Sequence, residues 1–175
     1  MAVYAFEETV PVVHPDAFVH PDAVLIGDVR IGKKCFIGAG AVLRGDFGKI
    51  SIGDGSNVQE NCVIHVSPGT EVRVEEDVII AHGAILHDAI VKRRSVVGMG
   101  ALVLQGAVIE EGVLVAALTL IPTNFVVPAK KIVVGNPGKI KGDVPETHEE
   151  FIRAGIAIYQ ELPERYRKGM RKIPD

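Results

Sequence analysis

The fold is decided by residues 13–43, VHPDAFVHPDAVLIGDVRIGKKCFIGAGAVL. A large aliphatic residue returns every six positions: Val13, Val19, Leu25, Ile31, Ile37 and Leu43. A helix repeats its face at about 3.6 residues and an alternating strand at about two, so neither gives this spacing. A six-residue repeat is one short strand and one corner of a parallel β-helix. After a three-residue slip the series resumes at Ile52, Val58 and Ile64. After a four-residue insertion it continues at Val74, Ile80 and Leu86, and a five-residue step leads to Val91. It then runs unbroken through Val97, Val103, Ile109, Val115, Ile121, Val127 and Val133, making twenty rungs.

Three such strands close one triangular coil of about eighteen residues. Large aliphatic side chains point inward, and small residues such as Ala17, Ala23, Cys35, Ala41, Ser56 and Cys62 take the tight corners. Coils stack at the interstrand spacing of about 4.8 Å. Cys35 stacks with Ser56 and Cys62 with Ala41, in different columns, so no disulfide is expected.

The rungs convert sequence into position. Rungs 64 and 86 are three apart, so His65 and His87 stack on one face, about 4.8 Å from each other. That spacing suits two imidazoles sharing one metal, at metal–nitrogen bonds of about 2.0–2.1 Å. Arg44 lies below His65 in the same column, because rungs 43 and 64 are also three apart. His82 belongs to rung Ile80 on the preceding face and cannot easily join the pair within one chain. A neighbouring prism related by threefold symmetry could bring its own His82 across, which predicts a cyclic homotrimer with a three-histidine metal site between subunits. His14, His20 and His148 are expected to be ordinary surface residues.

Composition narrows the class. The chain has 175 residues, 47% of them hydrophobic, with few aromatics and no Trp, so small aliphatics must build the core. A net charge of -3 with interspersed signs excludes a basic nucleic-acid surface. The opening MAVYAFEETV has no basic region of a signal peptide, and no apolar run is long enough to span a membrane. A soluble, cytoplasmic protein is the expectation. Period six lapses after about residue 143, which divides the chain into a β-helix over 1–143 and a helical tail over 144–175. Thr147 with Glu150 reads as a capping box opening a helix from about 147 to 162. Phe151, Gly155, Ile158, Leu162 and Tyr166 mark its packing face, and Pro163 ends or restarts it.

Two stretches carry a family resemblance: LRGDFGKISIGDGSNVQENCVIH at 43–65 and AHGAILHDA at 81–89. Their Arg-Gly-Asp, Asn-x-Gln-x-Asn and three histidines resemble the γ-class carbonic anhydrase family. The similarity is greatest to its short-loop, ferripyochelin-binding-protein-like branch, which includes a phenylacetate-pathway thioesterase-like group. The resemblance implies a mainly β chain, a left-handed β-helix with a C-terminal helix, assembled as a homotrimer. It implies Zn²⁺, or Fe²⁺ or Co²⁺, held by His65 and His87 of one chain and His82 of the next. It implies a lyase in which metal-activated hydroxide hydrates CO₂ to bicarbonate. Arg44 and Asp46 match the pair that ties subunits near the metal. Gln59 matches the residue contacting metal-bound water or substrate, and Asn57 a hydrogen-bonding position beside it.

The sequence also departs from that family. Phe47 stands where archetypal members carry Glu, and the loop VSPGTEVR at 66–73 is short, with Glu71 its one acid. The usual acidic proton shuttle is missing, which implies low activity, and Glu60 and Tyr159 are the substitutes at hand. Two other functions stay open. One is an acyl-CoA thioesterase or acyltransferase, since IVVGNPGKIK at 132–141 resembles the coil-end sequence of hexapeptide acyltransferases. Lys139 and Lys141 could there meet phosphates, although the same stretch reads more simply as a Gly-Pro turn closing the β-helix. The other is a catalytically weak, metal-binding trimeric scaffold.

Overall fold

A computed structural model describes residues 2–174. The chain is a left-handed parallel β-helix, triangular in section, with one helix laid against one side. The rungs stack in the register read from the sequence. One face, hereafter the histidine face, aligns Leu25, Leu43, Ile64, Leu86, Val103 and Ile121. The second aligns Val13, Ile31, Ile52, Val74, Val91, Ile109 and Val127. The third, the helix face, aligns Val19, Ile37, Val58, Ile80, Val97, Val115 and Val133. Most of these side chains are wholly shielded from water and form one continuous core.

Two strands, Val24–Ile31 and Val42–Ile52, run without a break around one corner and join the first two faces into a single sheet. The three-residue slip in the repeat falls inside the second of them, where an irregularity between Gly27 and Val29 of its partner absorbs it. Gly27 is required there. Its φ is +73°, and a Cβ would lie 2.3 Å from the Gly45 carbonyl oxygen. A short strand, Ala2–Tyr4, adds Val3 below Leu25, a contact outside the six-residue series. At the other end, Lys131–Val134 turns through residues 135–138 into an antiparallel return strand, Lys139–Asp143, which ends the β-helix.

Cys35 and Cys62 are buried at separate corners and unpaired. Burial pushes the Cys35 thiol up to about 12 and the Cys62 thiol up to about 11. Both are therefore protonated at pH 8. The folded protein is expected to resist alkylation by iodoacetamide at that pH and to take two labels once unfolded, which mass spectrometry reads directly.

The tail forms helix α1, Glu146–Gly169, longer than the sequence suggested. Pro145 occupies the N-cap and no side chain caps the helix, so Thr147 and Glu150 do not form a capping box. Pro163 neither ends nor restarts the helix, which continues through it. The packing face is rotated from the expected one over the first turns, while Tyr166 packs on the β-helix as expected. Phe151 and Ile158 are exposed, whereas Ile152 and Ile156 are buried against Ile79, Val96, Leu114 and Ile132 of the helix face. Farther along, Tyr159 and Tyr166 pack on Phe36, with ring centroids 5.8 and 5.1 Å away. No helix among the described residues is long and apolar enough to cross a membrane.

Candidate functional site

Residues just after each rung of the histidine face point outward in one column. Arg44 pairs with His65 and His65 with His87 in successive strands. Their side chains meet. His65 Nδ1 lies 3.1 Å from His87 Nε2, with ring centroids 5.1 Å apart. The other nitrogen of His65, Nε2, lies 3.3 Å from Asp46 Oδ1, and Arg44 Nη1 donates to Asp46 Oδ2 at 2.5 Å.

The electrostatics favour a neutral His65. Its partial burial, and then the Arg44 charge, hold the imidazole below its ordinary value. Burial alone would raise the Asp46 carboxyl, but the bonded Arg44 guanidinium keeps it below the usual carboxylate range. Phe47 continues this strand, half-exposed, with its ring edge-on to His65 at 5.9 Å and the Arg44 guanidinium 5.9 Å above it. An apolar ring thus stands where an acid would stand in the family that the sequence resembles.

His82 sits elsewhere, on the corner between the helix face and the histidine face. Its Nδ1 meets Glu60 Oε2 at 2.6 Å, and its backbone N–H donates to Gln59 Oε1 at 3.3 Å. Gln59 Nε2 in turn donates to Asn57 Oδ1 at 2.9 Å. Gln59 and Asn57 are both buried, so in the single chain they brace the His82 corner from behind. Asn57 Nδ2 is buried without a partner. Tyr159, on α1, packs beside Phe36 on the helix face, away from the His65–His87 pair. Its hydroxyl is pushed up by burial and by the nearby Glu60 charge.

Within one chain, then, two of the three imidazoles converge and the third faces out. Among the described residues, no group of three His, Cys, Asp or Glu side chains could hold a metal. The surroundings of His82 are exposed and apolar. Backbone bonds stack the corner: the Gly100 N–H donates to the His82 carbonyl and the Leu118 N–H to the Met99 carbonyl. Met99 is 56% exposed and Leu118 77% exposed. Leu118 also holds a left-handed φ of +59°, a costly conformation in which to present a bulky apolar side chain to water. On the adjoining histidine face, Val63 and Ile85 are exposed as well.

The sequence reading missed Asp88. It is buried, and its Oδ1 accepts from the Ser67 N–H at 2.7 Å and from the Thr70 hydroxyl. The available signal was the five-residue step from Leu86 to Val91, which shortens the corner just after His87.

Comparison with known proteins agrees with this architecture. Residues 11–45 match the family of bacterial transferase hexapeptide repeats (six repeats). The chain is 44% identical over 170 residues to the carnitine operon protein CaiE of Salmonella newport, covering 97% of this chain and 86% of the relative. A Bacillus cereus structure described as an acetyltransferase superposes with a TM-score of 0.95 at 30% identity, covering 97% and 98% of the two chains. A hexapeptide transferase family protein from Anaplasma phagocytophilum gives 0.91 at 33%, covering 94% and 98%. At this identity and coverage, the chain belongs to the CaiE-like family of hexapeptide-repeat proteins.

Proposed function

We propose that the protein is a γ-carbonic anhydrase-like metalloenzyme. Its zinc centres would lie between the subunits of a homotrimer, and its reaction would be CO₂ hydration. The observation that carries this reading is the convergence of His65 Nδ1 and His87 Nε2 at 3.1 Å. Two nitrogens bound tetrahedrally to one zinc at about 2.0–2.1 Å would stand roughly 3.3 Å apart. The donor chemistry fits too. Zinc needs neutral imidazoles, and the environment of His65 disfavours its protonated form. Without a metal, a single shared proton would fill the same gap.

His65 and His87 would hold the ion from one side, and His82 of a neighbouring chain from the other. Three protein ligands would leave one position open, as catalytic zinc sites do. Zinc so held supplies a Lewis acid that makes water a nucleophile at a pKa of about 7. The chain's own residues would do the rest. Asp46 would fix the ring of His65 through Nε2, and Arg44 would fix Asp46. Gln59, with Asn57 behind it, would set the His82 corner. Phe47 would screen one side of the centre from bulk water and carries no proton. Product protons would then leave slowly, which supports a modest turnover.

A second reading is acyl transfer or thioester hydrolysis on the same trimer, favoured by the solved relatives described as transferases. The experiment is zinc or iron reconstitution of the full chain under anaerobic conditions, followed by metal analysis. Stopped-flow CO₂ hydration would run beside a panel of acyl-CoA substrates. About one metal per chain with CO₂ hydration above the zinc-free control is the expected result. A chain that stays metal-free would sink the centre, and acyl-CoA turnover without hydration would replace the reaction.

A further inference from the structure

Asp88 follows His87 directly and turns the corner with a φ of +49°. Its side chain is only 3% exposed. A buried carboxylate is costly unless each oxygen is satisfied. Oδ1 is satisfied by the Ser67 N–H and the Thr70 hydroxyl. Oδ2 is buried and makes no hydrogen bond, yet it lies 3.1 Å from His87 Nδ1. The distance is within hydrogen-bond reach, and a rotation of the imidazole that aims Nδ1 at Oδ2 would make the bond.

We propose that Asp88 is the positioning residue of the His65–His87 centre, holding the proton on His87 Nδ1 and leaving Nε2 free to ligate a divalent metal. The inference rests on the metal-centre reading above and deepens it. Which imidazole nitrogen binds a metal is set by the hydrogen bond that the other one makes. A carboxylate behind the ring also raises its basicity as a ligand. The free nitrogen, Nε2, is the one that faces His65 Nδ1. On the far side of the pair, Asp46 does the equivalent for His65 through its Nε2. The two carboxylates thereby turn two lone pairs toward one point. Two bare nitrogens at 3.1 Å repel unless a cation lies between them.

Asp88 has a plainer role as well. It clasps the loop after His65 through Ser67 and Thr70, and its own N–H donates to the His65 carbonyl at 3.3 Å. Clasp and positioning use different oxygens, so variants can separate them. Asp88→Asn keeps an acceptor oxygen for Ser67 and Thr70 and tolerates the left-handed backbone. It replaces Oδ2 with an amide that donates toward His87. Thr70→Val loosens the clasp and leaves Oδ2 in place.

The test uses the full chain. Long-range ¹H–¹⁵N spectra of the metal-free protein at pH 8 report the His87 tautomer, and chelator competition reports zinc affinity. The wild type should carry its proton on Nδ1. Asp88→Asn should move it to Nε2 and weaken zinc by about 10–100-fold. Thr70→Val should keep the wild-type tautomer and lose less affinity. An unchanged tautomer and unchanged affinity in Asp88→Asn would overturn the proposal. So would equal losses in the two variants with the same tautomer. A wild-type chain that takes no zinc removes the metal reading, and the ring tautomer alone then decides whether Asp88 positions His87.

Discussion

Zinc-reconstituted His65→Ala protein is expected to hold almost no metal and to hydrate CO₂ at the rate of the buffer. His65 is one of two imidazoles that a single chain brings together, at 3.1 Å from its partner. Losing a direct ligand should cost more than the 10–100-fold that loss of a supporting residue costs. The remaining His87 and a neighbour's His82 would leave zinc two positions short of the usual four. The fold should survive the change. His65 points outward, whereas its neighbour Ile64 is the rung that fills the core, so the substitution leaves no internal cavity. Asp46 keeps its bond to Arg44, so no carboxylate is left without a partner. Metal analysis and stopped-flow kinetics read the loss, while an unaltered circular dichroism spectrum excludes unfolding. Zinc retained at one per chain would remove His65 from the centre.

That prediction rests on the pairing of His65 with His87, and the pairing was legible because a β-helix translates residue spacing into height and face. Once Ile64 and Leu86 share a face, the residues after them must stack, whatever they are. The same logic failed where the repeat lapses. Ala2–Tyr4 joins the histidine face through Val3, but the intervening chain breaks the count, so no period pointed to it. In α1 two stripes offered themselves. Phe151, Gly155, Ile158, Leu162 and Tyr166 have helical spacing, and so do Ile152, Ile156, Tyr159 and Pro163, each one position on from the first four. Periodicity cannot choose between parallel stripes. The choice came from what waits opposite: Ile79, Val96 and Leu114 receive Ile152 and Ile156, and Phe36 receives Tyr159 together with Tyr166, the one member of the expected stripe that packs on it. Asp88 was hidden for another reason. Its partners, Ser67 and Thr70, come from an insertion outside the repeat, so no register predicted their meeting.

Mixing two inactive variants should restore activity. His82→Ala and His87→Ala would each be silent alone, because every site in either homotrimer lacks one ligand. In a mixed trimer, a His82→Ala chain still offers His65 and His87, and a His87→Ala chain still offers His82. Where the first presents its pair to the second, the ligand set is that of the wild type. Random assembly from equal amounts makes about one interface in four complete, so roughly a quarter of wild-type activity should return. Substituting His82 should not block assembly, since its side chain is 48% exposed on a corner and its loss opens no cavity. The exposed apolar residues above it, Met99 and Leu118, are untouched by the substitution and would remain available for a contact between subunits. His65→Ala mixed with His87→Ala serves as the control. Each chain then lacks a member of the same-face pair, no interface is complete, and activity should stay at zero. A site built within one chain predicts silence in both mixtures. Recovery in the first alone requires that His82 act across the boundary between chains, which is how a five-residue gap between His82 and His87 can serve one metal site.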